Sequence, residues 1–340
     1  MIDFTFLTIG QIFGKRINEM FDEDYARRLV DEELDILKIY GTKCAITDFS
    51  ILLGGAVLDK DFTSEGVSLK NRVGHWWSSI YSIAPGPDAY CVRAWNDSVY
   101  ASSVFSSYVG GRPATSYSSI SCFCPSPKKR LDNGILEIEF GEYPQDIVSL
   151  DYAMELENAY LNGTIKETGK IYTTDTAPSN KKYNHFLFIQ RSHIEYEYEG
   201  RKYIRIVGDE KSAGVKLSDG RKIKKDEAYW ISVQPIKWMI DKKTDILLSK
   251  KILFAGMPFG DKHYELMGPE YKMKHPRAYY FKYSTMKRFM DKYFSKDIID
   301  DRLAYINENK KIDEIEDNIK IKSDLKSFIY KILGLNFLMN

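Results

Sequence analysis

Long apolar runs are missing from this sequence. No stretch reaches the ~18 consecutive apolar residues that a membrane-spanning helix needs. The opening residues, MIDFTFLTIGQIFGKRINEMFDEDY, carry an early acid and no apolar run of signal-peptide length. Synthesis and residence in a reducing cytoplasm is therefore the default expectation. Cysteine is scarce. Cys44, Cys91, Cys122 and Cys124 show no two-pair metal spacing, and 340 residues are too many for a disulfide scaffold. The lone Cys122-Phe123-Cys124 reads first as two loop thiols, with metal or redox chemistry the less favoured reading. A surplus of one charge is missing as well. The formal net charge is +1, which removes the electrostatic reason to expect a nucleic-acid partner. With 44% hydrophobic and 29% charged residues, the composition is that of a folded globular protein, and the length points to about two domains.

The sharpest absence is local. From His75 to Gly111 the chain has no Lys, Glu, Gln or Met, although Lys and Glu are abundant elsewhere. The window is HWWSSIYSIAPGPDAYCVRAWNDSVYASSVFSSYVGG. It is built from Ser, Tyr, Ala, Gly, Pro and aromatics, and RPA follows it. That is the composition of a paratope. Tyr and Trp give large contact area with few rotatable bonds, and Ser, Gly and Asn adapt their hydrogen bonding.

Other segments read by their local signals. Residues 8–39 are mainly helical, with Val30, Leu34 and Leu37 at helical spacing and Gly41 as the stop. Asp48 or Ser50 would cap a short helix through Ile51, Leu52 and Leu53, stopped by Gly54-Gly55. Between 56 and 125, short β-type runs at 90–92, 99–100 and 104–109 are broken by Gly, Pro, Asn and Ser. Residues 125–130 form a polar, Pro-containing break, and a domain boundary is expected there. The basic triplet 128–130 reads as a solvated linker.

Beyond it, GILEIEFGEYPQ reads as a strand and SLDYAMELENAYLNG as a helix ending at Gly163. EYEYEGRKYIRIV reads as a hairpin with a tight Glu-Gly turn. Tyr196 and Tyr198 fall on one of its faces. Glu195, Glu197 and Glu199 fall on the other, which reads as an exposed face guarded by charge against edge pairing. KLSDGRKI supplies a turn at Asp219-Gly220, and further strands surround Trp230 and Trp238. A helix capped by Ser284 or Thr285 carries Met286, Phe289, Met290, Tyr293 and Phe294 as a core stripe. Residues 307–324 read as a charged connector. The end, LKSFIYKILGLNFLMN, is amphipathic and suited to docking on the chain itself, on a second copy or on a membrane surface.

Several pieces are recognisable as a set: TDFSILLGGAVL, Trp77-Ser78-Ser79, Asp88-Ala89, Val92, Asp97-Ser98, and Val109-Gly110-Gly111-Arg112-Pro113-Ala114. They resemble the closing part of the C-type-lectin fold in formylglycine-generating-enzyme-like proteins. More closely, they resemble variable proteins of diversity-generating retroelements in gut bacteria and their phages. In that family's pattern Tyr is common where this chain has Trp76, and Ala where it has Gly111. FGEYPQ, LENAYLNGTIKETGKIYTTD, the hairpin, KLSDGRKI, WISVQPIKWMID and ILFAGMPF resemble a recurrent companion of the same family. In the relatives such pieces precede the W-W-S block, whereas here they follow it.

The resemblance implies an α+β chain. Residues 1–125 would be a C-type-lectin-like ligand-binding domain with a helical N-terminal part. Residues 131–300 would be a β-rich companion domain, and 301–340 a charged connector with an amphipathic helix. It also accounts for the missing residue types. Retroelement mutagenesis replaces template adenines. An Asn codon, AAY, changed at its first two positions keeps its final pyrimidine and never becomes Lys, Glu, Gln or Met. Trp is unreachable too, so Trp76, Trp77 and Trp95 would belong to a fixed scaffold or arise from another codon. A phage particle or signal-free export is compatible with this reading alongside the cytoplasm.

The implied function is non-catalytic recognition of a macromolecule, a protein rather than nucleic acid. The candidate ligand-binding residues are Ile80, Tyr81, Ile83, Pro85, Tyr90, Arg93, Trp95, Asn96, Tyr100, Ser102, Phe105 and Ser107. Strand alternation makes Val92, Val99, Val104 and Val109 the inward set and turns Cys91 and Arg93 outward. Tyr90 shares the parity of Val92, and an ordinary β core with polar loops stays open as an alternative. Arg112 suits a structural fork onto a carboxylate. No metal or cofactor is expected, since Asp88, Asn96 and Asp97 are too few for a calcium site. A thiol oxidase of the formylglycine-generating type would need reactive cysteines in a pocket. A phage or assembly component would use the C-terminal helix for docking or self-association.

Overall fold

The structure is a computed structural model and describes residues 2–29, 31–57, 72–81, 88–93, 98–103, 106, 108–121, 129–131, 135–176, 189–260 and 281–298. The expectations for Val30, Val104, Cys122, Cys124 and 301–340 fall outside these residues.

The chain opens with α1 (Ile9–Phe13), a 3-10 segment (Gly14–Glu19), α2 (Glu23–Leu29) and α3 (Asp35–Tyr40). The stretch read as mainly helical is thus several short helices. Gly14, with φ 52°, ends α1, and Gly41 ends α3 as expected. β1 (Ala45–Ile46) and α4 (Asp48–Leu52) follow. Thr47 caps α4, its hydroxyl accepting from the Ser50 amide, so Asp48 is the first helical residue rather than the cap. Asp48 instead reaches across the fold to accept from the amides of Ile147 and Ser218. Those bonds satisfy a carboxyl that burial pushes upward in pKa.

β2 (Trp76–Tyr81), β3 (Asp88–Val92) and β4 (Val99–Ser103) pair in that order as an antiparallel three-stranded sheet. After β5 (Ala114–Ser116) and α5 (Tyr117–Ile120) come β6 (Lys129–Arg130), β7 (Leu136–Ile147), α6 (Leu150–Leu161), β8 (Lys166–Thr176), β9 (Ile189–Tyr198) and β10 (Arg201–Val207). β11 (Ala228–Asp241), β12 (Ile246–Ser249), β13 (Lys251–Ile252) and α7 (Thr285–Phe289) follow. The fold is mixed α+β and mostly sheet. The main sheet runs β5-β12-β11-β10-β9-β8, with β7 on β11 and β6 on β7. β11 is its hub. Ile231 pairs with both Ile204 and Ile147, and Trp238 with both Ser249 and Ile138, so β10 and β12 share one edge and β7 takes the other.

The expected boundary at 125–130 does not divide two compact units. Residues 1–298 form one unit. β5 from the first half pairs with β12 from the second. Thr5 and Ala114 exchange backbone hydrogen bonds of 2.9 and 2.8 Å. β6, which includes the last two residues of the basic triplet, is exposed but pairs with β7. The core also crosses the divide: Phe4 stacks on Trp238 at 5.8 Å and meets Phe294 edge-on at 5.1 Å. Ser284 caps α7 as expected, and a π-helical turn (Met290–Phe294) continues the helix. Met286, Phe289, Met290 and Phe294 are buried.

A second core lies under α6, where Leu156 packs on Tyr196, Tyr203 and Trp230. The β9–β10 hairpin turns at Glu199-Gly200, both at positive φ. Tyr196 faces inward as read. Glu195 does not stand on an exposed face: it is 2% exposed and accepts from the Tyr172 hydroxyl at 2.7 Å and the Thr168 hydroxyl at 2.8 Å. No helix among the described residues is long and apolar enough to cross a membrane.

Candidate ligand-binding surface

The three-stranded sheet is anchored from behind. Trp76 and Trp77 at the start of β2 are 0% exposed. The Trp76 indole donates to the Thr42 carbonyl, and Trp77 packs on Phe259 at 5.0 Å. Residues 108–111 run beside β2, with Trp76 bridged to Gly110. A Cβ on Gly110 would overlap Ile252, and one on Gly111 would overlap the Phe254 ring. Glycine is required there by close approach. Arg112 is buried, and among the described residues no carboxylate pairs with it. Its Nε donates to the Ser249 carbonyl at 3.0 Å, and its guanidinium lies 5.0 Å from the centre of the Trp76 ring.

Among the described residues β4 pairs only with β3, and on it Tyr100 is the exposed side chain, whereas Ala89 to Val92 on β3 are covered. Tyr100 is 41% exposed, and Arg93 lies over its ring at 3.9 Å. This pair is the part of the candidate set that the described structure brings together on a surface.

Tyr90 and Ser102 are corrections. Tyr90 is 5% exposed and meets Phe21 edge-on at 5.3 Å. The N-terminal segment thus covers the face of β3 on which Tyr90 lies. Cys91, read as outward, is buried on the other face. Burial pushes its thiol up to about 12, and burial also raises Cys44. Both are poor thiolate candidates. Ser102 is 2% exposed and works from below. Its hydroxyl bonds to Ser106 Oγ at 3.0 Å and Tyr108 Oη at 2.9 Å. Ile80 and Tyr81 end β2, with Tyr81 opposite Ala89, but their side chains are outside the described residues, as are Ile83, Pro85, Trp95, Asn96, Phe105 and Ser107.

Tyr108 was missed. It is 40% exposed, tethered through its hydroxyl to Ser102, and its ring meets His75 at 6.2 Å. Burial holds His75 below its ordinary pKa. The available signal was a Tyr just ahead of Val109-Gly110-Gly111, a few residues past Ser102. Tyr100 and Tyr108 thus expose two aromatic side chains, one of them with the Arg93 cation over its ring. Among the described residues, no group of three or more His, Cys, Asp or Glu is placed to hold a metal ion. A separate open cleft of about 670 Å³, lined by Glu142, Tyr152, Arg201, Lys202, Tyr203 and Gln234 among others, shares none of these residues. Comparison with protein-family models, curated proteins and solved structures finds no match to this chain.

Proposed function

We propose that β2, β3 and β4, with the segments that join them, form a recognition surface for a protein ligand on a C-type-lectin-like scaffold. The chain is a non-catalytic display protein of the kind encoded beside diversity-generating retroelements. The observation that carries this reading is the exposed Tyr100 with the Arg93 guanidinium 3.9 Å from its ring centre, together with an exposed Tyr108 whose hydroxyl is bonded to buried Ser102 on the same strand as Tyr100. Rigid aromatics beside small adaptable residues are what a paratope uses. The partition of residue types supports the same reading. Trp76 and Trp77, which adenine mutagenesis cannot produce from an Asn codon, are buried scaffold. Tyr100, which it can produce, is on the surface.

Nucleotide sequencing of the gene and its flanks tests the proposal. The expected result is an imperfect copy of codons 75–114 that differs only at adenines, beside a reverse-transcriptase gene. Flanks with no such copy overturn the retroelement assignment and leave a fixed binding surface.

A further inference from the structure

Between Leu131 and Ile165 the chain has acids but no Lys, Arg or His. Four of those acids are neutralised across the fold: Glu137 by Lys250, Glu142 by Lys202, Asp146 by Lys251 and Glu157 by Arg205. Asp151 and Glu155 on α6 have no ion pair among the described residues, although Glu155 accepts from the Tyr198 hydroxyl at 3.0 Å. Beside them stand three large apolar side chains in water. Leu150 is 55% exposed, Met154 53% and Leu161 71%. On an α-helix these three fall within about 40° of one another around the axis, with Glu157, held by Arg205, on the same side between Met154 and Leu161, and with Asp151 and Glu155 along one flank. The opposite face, with Leu156 and Ala159, is already spent on the core. Single exposed apolar residues need no explanation, but an aligned stripe with a charged border marks a contact surface.

We propose that the outer face of α6 docks a basic amphipathic helix of another polypeptide. Charge selects this occupant. A Leu/Ile stripe bordered by Lys or Arg would pack its ridges on Leu150, Met154 and Leu161 and set cations beside Asp151 and Glu155. A second copy meeting through α6 would set these acids against themselves, since the helix carries no cation. An anionic lipid surface would repel them in the same way. The inference does not depend on the display function, because it uses other elements and other residues.

The test is fluorescence anisotropy of a labelled LKKLLKLLKKLLKL peptide titrated with the full chain, with LEELLELLEELLEL as the charge-reversed control. The basic peptide is expected to bind and the acidic one not. Met154→Ser with Leu161→Ser should weaken binding about tenfold. Asp151→Asn with Glu155→Gln should weaken it severalfold and flatten its salt dependence. All four side chains are solvent-facing, and a circular dichroism spectrum matching the parent confirms that each variant is folded. Binding unchanged in both double variants, equal binding of the acidic peptide, or none at about 1 mM overturns the proposal. Adsorption to phosphatidylcholine vesicles without peptide binding also overturns it and assigns the face to lipid.

Discussion

The guanidinium of Arg93, just past β3, lies 3.9 Å from the centre of the Tyr100 ring on β4, while Trp76, Trp77 and Tyr90 of the same sheet are buried. The pair is partly solvated, so its contribution to folding is small. A double-mutant cycle of Arg93→Ala and Tyr100→Ala in urea should give a coupling of about 0.5–1 kcal/mol. No coupling would mean that the two side chains do not meet in solution.

Gly111 allows the Phe254 ring to lie against the backbone. Gly111→Ala should cost about 1–3 kcal/mol by overpacking, read as a lower urea midpoint at constant m. The loss should shrink in a Phe254→Leu background, which trims the ring that the new methyl meets. An equal loss in both backgrounds would place the strain elsewhere.

His193 is 5% exposed, and burial, aided by the nearby Arg191, pushes it down to about 4 from an ordinary 6.5. On acidification the unfolded chain takes up this proton before the folded one does. The contribution is therefore complete above pH 6.5 and is lost as pH falls from there through about 4. The full span corresponds to about 3 kcal/mol. Denaturation series at several pH values should show this slope in the parent and a flatter one in His193→Gln. Equal slopes would exclude His193 as its source.

Glu195 is buried with two hydroxyl donors, from Tyr172 and Thr168. Tyr172→Phe removes one of them and leaves the carboxylate under-satisfied, at a cost of about 1.5–3 kcal/mol. Glu195 is also the partner that should couple. In a Glu195→Gln background the same Tyr172 change should cost less. Additive losses would show that the two groups act independently.

The parts of the fold that were legible have short-range signals. The β9–β10 hairpin announces itself by alternation around Glu199-Gly200, and α7 by Ser284 ahead of its apolar stripe. Alternation, however, reveals only that neighbouring side chains point apart. Whether both sides are covered depends on distant chain. Tyr90 is closed off by Phe21, and Glu195 by Tyr172 from β8. Neither partner is implied by the local pattern. The unity of residues 1–298 was illegible for the same reason, since it rests on β5 joining β12. Composition set the window around β3 and β4 apart, but it did not reveal that Ser102 is buried or that Tyr108 is exposed.

The strand that leaves the small sheet does not end in solvent. Within a few residues of Tyr108 the chain passes the tight glycines, the buried Arg112 and then β5, which is stitched into the main sheet. β2 is pinned at its start by two buried tryptophans. The stretch between these fixed points therefore begins and ends on anchors whose own contacts lie elsewhere. Within that stretch Tyr90, Cys91 and Ser102 are buried while Tyr100 is exposed, so a substitution at Tyr100 is borne by the surface and one at the other three by the fold.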